Sequence, residues 1–330
     1  MSAVTGAVSD LAARAARRRR VLDPLLPNAA SAASAPGCGA EFVVAGPGGP
    51  PAGIGTCHHW YVPPESLDLS WGAAVRFQLQ AQLAGPDVTV QLDQTLSQWR
   101  DHLAEVPDSA GLDTAAVITW PSRDIDGVIA LVRRGFTPMA VIAARPTDGH
   151  LADDRPADAR PPADAVGGRL RVRRAGPEDL DTVVRLGLEV IRYDAHFGGV
   201  TERPATLAAL RHELAGLLGA DAWTWLAERE GVPVGMLIAE RPEAAAWIAP
   251  LVSLAPAAYL LLMYVAPEQR GIGVGTALTR RLHRAVREAG IAVTLLHYAQ
   301  VNPLSAPFWS QRGYRPLYTV WETTPAATIR

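Results

Sequence analysis

Residues 260–277 read Leu-Leu-Leu-Met-Tyr-Val-Ala-Pro-Glu-Gln-Arg-Gly-Ile-Gly-Val-Gly-Thr-Ala, and few backbone arrangements satisfy such a run. The apolar, β-favouring start predicts a strand buried on both faces. Pro267 ends it, because proline has no N–H to give a ladder. Gly271, Gly273 and Gly275 follow at alternate positions, and an arginine-rich helical pattern comes next. Glycines before a helix let the backbone turn tightly and aim several N–H groups at one point. The helix adds unpaired N–H groups and the positive end of its dipole, which makes an anion cradle suited to a phosphate or pyrophosphate.

The order Arg270-Gly271-Ile272-Gly273-Val274-Gly275, after a strand ending Tyr264-Val265, resembles the acetyl-CoA loop of the GCN5-related N-acetyltransferases, Arg/Gln-x-x-Gly-x-Gly/Ala. A second segment, from Asn302 through Ser305, Phe308 and Trp309 to Gly313-Tyr314, is similar to that family's Asn-x-x-Ala-x-x-Phe/Leu-Tyr-x-x-x-Gly-Phe. The resemblance covers nearly all of residues 169–322. It implies acetyl-CoA as acyl donor, with Arg270, Gly271, Gly273, Val274, Gly275 and Thr276 at the phosphates. The backbone of Met263, Tyr264 and Val265 would pair with the pantetheine arm and donate to the oxyanion. Asn302 and Ser305 would lie on the arm, with Phe308 packing beside it. Trp309 stands where the family has its tyrosine general acid, and indole gives up no useful proton. The thiolate then leaves through water, or Ser305 or Tyr298 substitutes.

For the base, strand parity over 293–300 puts Leu295 and His297 on one face and Leu296 and Tyr298 on the other. His297 lies five residues before Asn302, where some family members project a carboxylate, and an imidazole with a pKa of about 6.5 suits the task. Its alternative is a core histidine bonded to a carbonyl. Glu240, at a strand end, is the rival base. Tyr193, His196, Phe197 and Trp247 fall in segments that line the acceptor pocket in this family. Cys57-His58-His59 is no metal site, because adjacent strand residues face opposite ways and no second ligand pair is spaced to join them.

Along the chain, residues 1–20 read as a basic, solvated Ala/Arg helix. Strands are expected over 41–45, 53–60, 88–91, 114–120 and 139–144, with helices over 93–106 and 125–134. Residues 147–168 are Pro/Asp/Ala-rich and read as a linker. The second half continues with strand 170–174, helices 177–192 and 204–218, and a hairpin of 222–229 with 233–240. An apolar insert over 242–256 precedes the glycine-loop strand. Helix 275–289, strand 293–300, helix 303–312 and strand 317–322 follow. The two halves repeat: Arg-Arg-Gly-Phe-Thr-Pro around Gly135 matches Gln-Arg-Gly-Tyr-Arg-Pro around Gly313, which sets Asp124 on Asn302. The expected fold is therefore α/β, two tandem mixed-sheet acyltransferase folds. Residues 21–146 would be a degenerate copy without the pyrophosphate loop, serving to complete a sheet, wall the acceptor site or make a dimer contact; 169–330 would be the catalytic unit.

Net charge is −2, divided unevenly: 18 Arg against 15 acids from residue 169 onward, and 13 against 18 before it. That balance suits a polyanionic cofactor and excludes a nucleic-acid partner. All 31 cationic side chains are arginine, a compositional bias. Two cysteines, no secretory signal pattern and no spanning segment predict a cytoplasmic protein without membrane contact. The expected activity is acetyl-CoA-dependent N-acetylation of a small amine, in a monomer or homodimer. Candidate acceptors are an antibiotic-like amine or other secondary metabolite, a peptide N-terminus, or an amino-sugar cysteine conjugate as in the mycothiol synthases. The competing class is a non-catalytic acyl-CoA-binding regulatory or scaffold module.

Overall fold

The computed structural model describes residues 2–27, 39–45, 51–148, 170–219 and 222–330. The linker expected over 147–168 and Cys38 lie almost wholly or wholly outside them. The first half runs α1 (Ser2–Leu22), β1 (Ala40–Ala45), β2 (Pro51–Tyr61), β3 (Val75–Leu83), α2 (Val88–Ala104), β4 (Thr114–Pro121), α3 (Ile125–Arg133) and β5 (Thr137–Pro146). The second runs β6 (Leu170–Arg174), α4 (Leu180–Asp194), α5 (Thr206–Gly219), β7 (Trp223–Arg229), β8 (Val232–Glu240), β9 (Ala257–Val265), α6 (Val274–Glu288), β10 (Val293–Ala299), α7 (Ser305–Ser310) and β11 (Arg315–Thr323). No helix among the described residues is long and apolar enough to cross a membrane.

Two sequence expectations fail in the first half. Residues 88–91 are the opening turn of α2, not a strand: the β-branched Val88-Thr89-Val90 is overruled by Asp87, whose side chain caps the helix by accepting from the Val90 N–H. The true strand, β3, alternates Val75, Phe77, Leu79, Ala81 and Leu83 with Arg76, Gln78, Gln80 and Gln82. The segment between β3 and α2 is thus Ala84-Gly85-Pro86-Asp87, still without the glycine series. Nor is the N-terminal helix solvated. Leu11 and Ala15 are 1% exposed, and Arg18 forks onto Asp124 with two bonds of 2.6 Å.

All strands among the described residues form one sheet, in the order β1-β2-β3-β4-β11-β5-β10-β9-β8-β7-β6. The mixed α/β layout is two copies of one unit, β1 to β5 matching β7 to β11, with Gly135 and Gly313 both at positive φ before the closing strand. Each copy's closing strand has crossed over. β5 of the first half lies against β10, with Ile142 opposite His297, while β11 of the second half lies against β4, with Glu322 opposite Val117. The cores follow the strands: Trp321 packs with Trp120 and Leu131 of the first half, and Val141 and Ala143 with Leu278 and Leu296 of the second. Ion pairing tightens the exchange, since Arg315 at the start of β11 grips the buried Asp23.

The exchange makes one outcome testable at once. Residues 170–330 expressed alone would bare the whole edge of β10 and leave β11 without either neighbour. Open edges and an unplaced strand drive self-association. The expected product by size-exclusion chromatography is aggregate or a strand-swapped dimer. A stable monomer with native-like hydrogen-exchange protection in β10 would contradict the exchange.

Candidate functional site

The site begins where two parallel strands part. β9 and β10 pair from Ala257–Val293 to Leu260–Leu296 and then stop. On its other side β9 carries a bulge: Ala239 pairs with Leu260 and Ile238 with Leu262, so Leu261 has no opposite residue. A bulge bends its strand, and residues 261–265 lean away from β10. Residues 297–299 of β10 stay on β5. The wedge leaves one backbone edge of β9 open to pair with an extended ligand.

Beyond the wedge, Gly271 and Gly273 adopt φ of 78° and 93°, conformations costly for other residues, and a Cβ on either would meet nothing within 4 Å. Gly273 is the N-cap of α6 and gives it no side-chain cap. Gly275 packs against Phe308, whose ring carbon would lie 2.9 Å from an added Cβ. The result is an open, uncapped helix start facing empty space, which fits a phosphate.

The matching place in the first half is closed. β3 and β4 also pair in parallel and part after Leu79–Ile118. There, however, Asp87 caps α2, and the Gln91 side chain accepts from the Gly85 N–H at 3.1 Å, in the space a Cβ on Gly85 would need. A carboxylate at the helix start repels a phosphate, and the glutamine blocks its approach.

One cavity of about 1260 Å³ runs from the cradle across the sheet into the first half, and every residue expected at the cofactor lines it. Several of them are already engaged, Thr276 as acceptor of a hydrogen bond from Arg312. Arg270 donates from Nε to the Val265 carbonyl and lays its guanidinium 4.9 Å over the Tyr193 ring, so its side chain ties the loop to the strand end. Asn302 is buried, donates to Asp194 at 3.3 Å and accepts from the Leu304 N–H at 3.0 Å. Trp309 is buried edge-on against Tyr314 and Phe308. Tyr298 and Ser305 both reach the cavity wall.

His297 sits in an aromatic nest. Its Nδ1 is 3.0 Å from the Tyr259 hydroxyl, and Trp247 stacks on it at 15° with ring centres 6.2 Å apart. Trp247 in turn donates to Glu240 at 3.1 Å. Burial with no charged partner pushes the His297 imidazole down to about 4, which corrects the expectation of an ordinary histidine near neutrality. The ring is neutral at physiological pH. Glu240 is raised by burial, partly offset by the Trp247 N–H, and stands behind the cavity wall, bonded to Trp247 and opposite Tyr259 on β9. Tyr193 and Trp247 line the cavity. His196 and Phe197 do not: exposed His196 has its Nδ1 2.9 Å from the Arg192 carbonyl, and Phe197 packs edge-on against Tyr193.

Three groups here escaped the sequence reading. Asp194 lines the cavity with its pKa raised to about 6 by burial, the Asn302 hydrogen bond pulling the other way. Glu213 is raised by burial and by the charges of Asp68 and Glu240. Tyr259 and Tyr264 are the two hydroxyl-bearing residues of an otherwise apolar strand, and Tyr259, near its start, is the one whose hydroxyl meets His297. No trio of His, Cys, Asp or Glu among the described residues is placed to hold a metal ion. Cys57 is buried, accepts from the Trp99 indole at 3.1 Å and is pushed up to about 11 by burial.

Comparison with known proteins fits this geometry. Residues 220–316 match the family model described as an acetyltransferase (GNAT) domain. No curated protein matches the chain. Similar solved structures include a GCN5-related N-acetyltransferase from Sphaerobacter thermophilus, 14% identical over 87% of this chain and 81% of that one, with a TM-score of 0.49. A tandem GNAT protein from the clavulanic acid biosynthesis pathway is 17% identical over 98% of this chain and 96% of that one, with a TM-score of 0.46. A GCN5-related N-acetyltransferase from Ralstonia eutropha is 26% identical over 45% of this chain and 94% of that one, with a TM-score of 0.35. At these TM-scores the fold rests on the chain's own strand order.

Proposed function

We propose that this chain, whose second half carries an acetyltransferase (GNAT) domain, transfers an acetyl group from acetyl-CoA to the nitrogen of a small-molecule amine. The observation that carries the reading is the uncapped, glycine-shaped start of α6 at the mouth of the β9–β10 wedge. The N–H groups of residues 271–276 would hold the pyrophosphate, and the open edge of residues 261–265 would pair with the pantetheine arm. When bound, the donor supplies an activated thioester. Backbone N–H groups at the wedge can then donate to the oxygen that gains negative charge during acyl transfer.

The acceptor nitrogen would enter from the side of Tyr193, Trp247, Tyr259 and His297, all on the cavity wall. A neutral imidazole with its Nδ1 fixed by Tyr259 can take the proton the nitrogen sheds once it begins to bond to carbon. Such a weakly basic ring does not strip a free ammonium. That earlier proton falls to solvent or to a carboxylate, and Asp194, raised to about 6, lines the cavity.

The competing reading is a module that binds acyl-CoA without turning it over, and the buried Trp309 in place of a proton donor favours it. Thiol release from acetyl-CoA over a panel of amines decides the matter. Release with at least one amine supports the transferase. Tight CoA binding with no release on any amine supports the module.

A further inference from the structure

Five arginines among the described residues line the cavity, and four of them have partners. Arg18 is forked onto Asp124, Arg76 donates to the carbonyls of Ala73 and Asp68, Arg270 to that of Val265, and Arg312 to Phe308 and Thr276. Arg19 is the exception. Its Nε and Nη2 are enclosed with no hydrogen-bond partner among the described residues. The nearby acids are taken, Asp124 by Arg18 and Asp23 by Arg315, while Asp68 and Glu322 act on Arg76. Burial disfavours the Arg19 charge, Arg18 adds to that, and only Tyr318 opposes them. A cation held away from water without a counter-ion is unusual, because buried charges are normally paired.

Tyr318 stands beside it, close enough for each group to act on the other's charge. It is buried on the cavity wall, and its hydroxyl bonds no described residue. The strand exchange puts it there. Tyr318 of β11 lies opposite Ile142 of β5, and Ile142 lies opposite His297 of β10. Opposite residues of antiparallel strands share a face. Tyr318 and His297 therefore look into one cavity from two strands apart, about 10 Å at ~4.8 Å per strand. A guanidinium only donates and a phenol can donate, whereas a carboxylate only accepts. Arginine in particular offers a carboxylate two parallel N–H bonds.

We propose that Arg19 and Tyr318 form an anion seat in the acceptor site, which holds a carboxylate of the acceptor about 10 Å from the nitrogen that is acylated. This rests on the transferase reading above. It gives the N-terminal helix a task beyond packing: it sets the charge and the length of the amine that fits.

The test uses the full chain and two amines of equal length, 8-aminooctanoate and the neutral 8-aminooctanamide, whose extended chains match that span. The carboxylate should raise kcat/KM about tenfold or more, chiefly through KM, as one or two charge-assisted hydrogen bonds do. Arg19→Gln should erase most of the difference, with unchanged affinity for CoA reporting an intact fold. Tyr318→Phe keeps the ring, should erase part of the difference, and serves alone if the arginine variant does not fold. No advantage for the carboxylate, or one that survives Arg19→Gln, would overturn the seat. So would an equal advantage of 3-aminopropanoate over 3-aminopropanamide, a pair too short to reach from His297 to Tyr318. Octanoate and octanamide, titrated by ligand-observed NMR, separate the two readings. Octanoate binding that Arg19→Gln abolishes and octanamide does not share, with no amine acylated, keeps the seat and sinks the transferase. Acylation of both octyl amines at equal efficiency, with no octanoate binding, does the reverse.

Discussion

Replacing Gly273 by aspartate should cut the affinity for CoA by at least about a hundredfold while α6 remains folded. The chain already contains the outcome in its other half, where Asp87 caps α2 and no seat for a phosphate is left. At Gly273 the new carboxylate would accept from the helix's first N–H groups and set a negative charge where the pyrophosphate has to sit. Losing two or three charge-assisted hydrogen bonds at about 1.5–3 kcal/mol each is enough for that factor. The backbone adds a smaller penalty. At φ 93° any side chain is strained, by about 1–2 kcal/mol. Gly273→Ala separates the two effects, because it carries the strain without the charge and should lose roughly tenfold or less. Calorimetric titration with CoA, alongside thermal melts, reads both variants. An aspartate variant that binds within threefold of the wild type would mean that the phosphates lie elsewhere.

The cradle was legible in the sequence for a physical reason. A strand, a proline stop, spaced glycines and a helix are local features, and only a few backbone paths accept them. β3 was equally legible in principle, since Arg76, Gln78, Gln80 and Gln82 alternate with apolar residues without a break. The β-branched Val88-Thr89-Val90 drew the strand assignment instead, although Leu92, Leu96, Trp99 and Leu103 carry the helical spacing of the same segment. The exchange of β5 and β11 was not legible. Alternation tells which face of a strand is buried and says nothing of which strand lies beside it, and either half would accept either closing strand. Asp194 and Tyr259 were hidden for a related reason: their character comes from burial, which long-range packing creates. Arg270 shows the limit of a motif, because its Nε is spent on Val265 and its flat face on Tyr193.

His297→Ala should lower kcat by about 10²–10⁴-fold, the usual range for losing a general base, and should leave CoA affinity nearly unchanged. The pH profile carries the finer discrimination. A base works only when unprotonated, so a group with a pKa of about 4 is fully competent from pH 5 upward and contributes no inflection between 5 and 8. An acid limb near pH 6 in the wild type must therefore belong to another group. Asp194, held at about 6, is the one whose protonation would stop it from receiving the acceptor's first proton as pH falls. Asp194→Asn should then remove the limb near 6 and lower the plateau, while His297→Ala lowers the plateau and keeps the limb. Glu240→Gln should do less than either, since Glu240 stands behind Trp247 and Tyr259 and is not itself on the cavity wall. If Glu240→Gln abolishes turnover while His297→Ala keeps wild-type kcat, the carboxylate is the base and the histidine is packing. Should neither matter, the amine arrives neutral and the rate comes from holding it against the thioester.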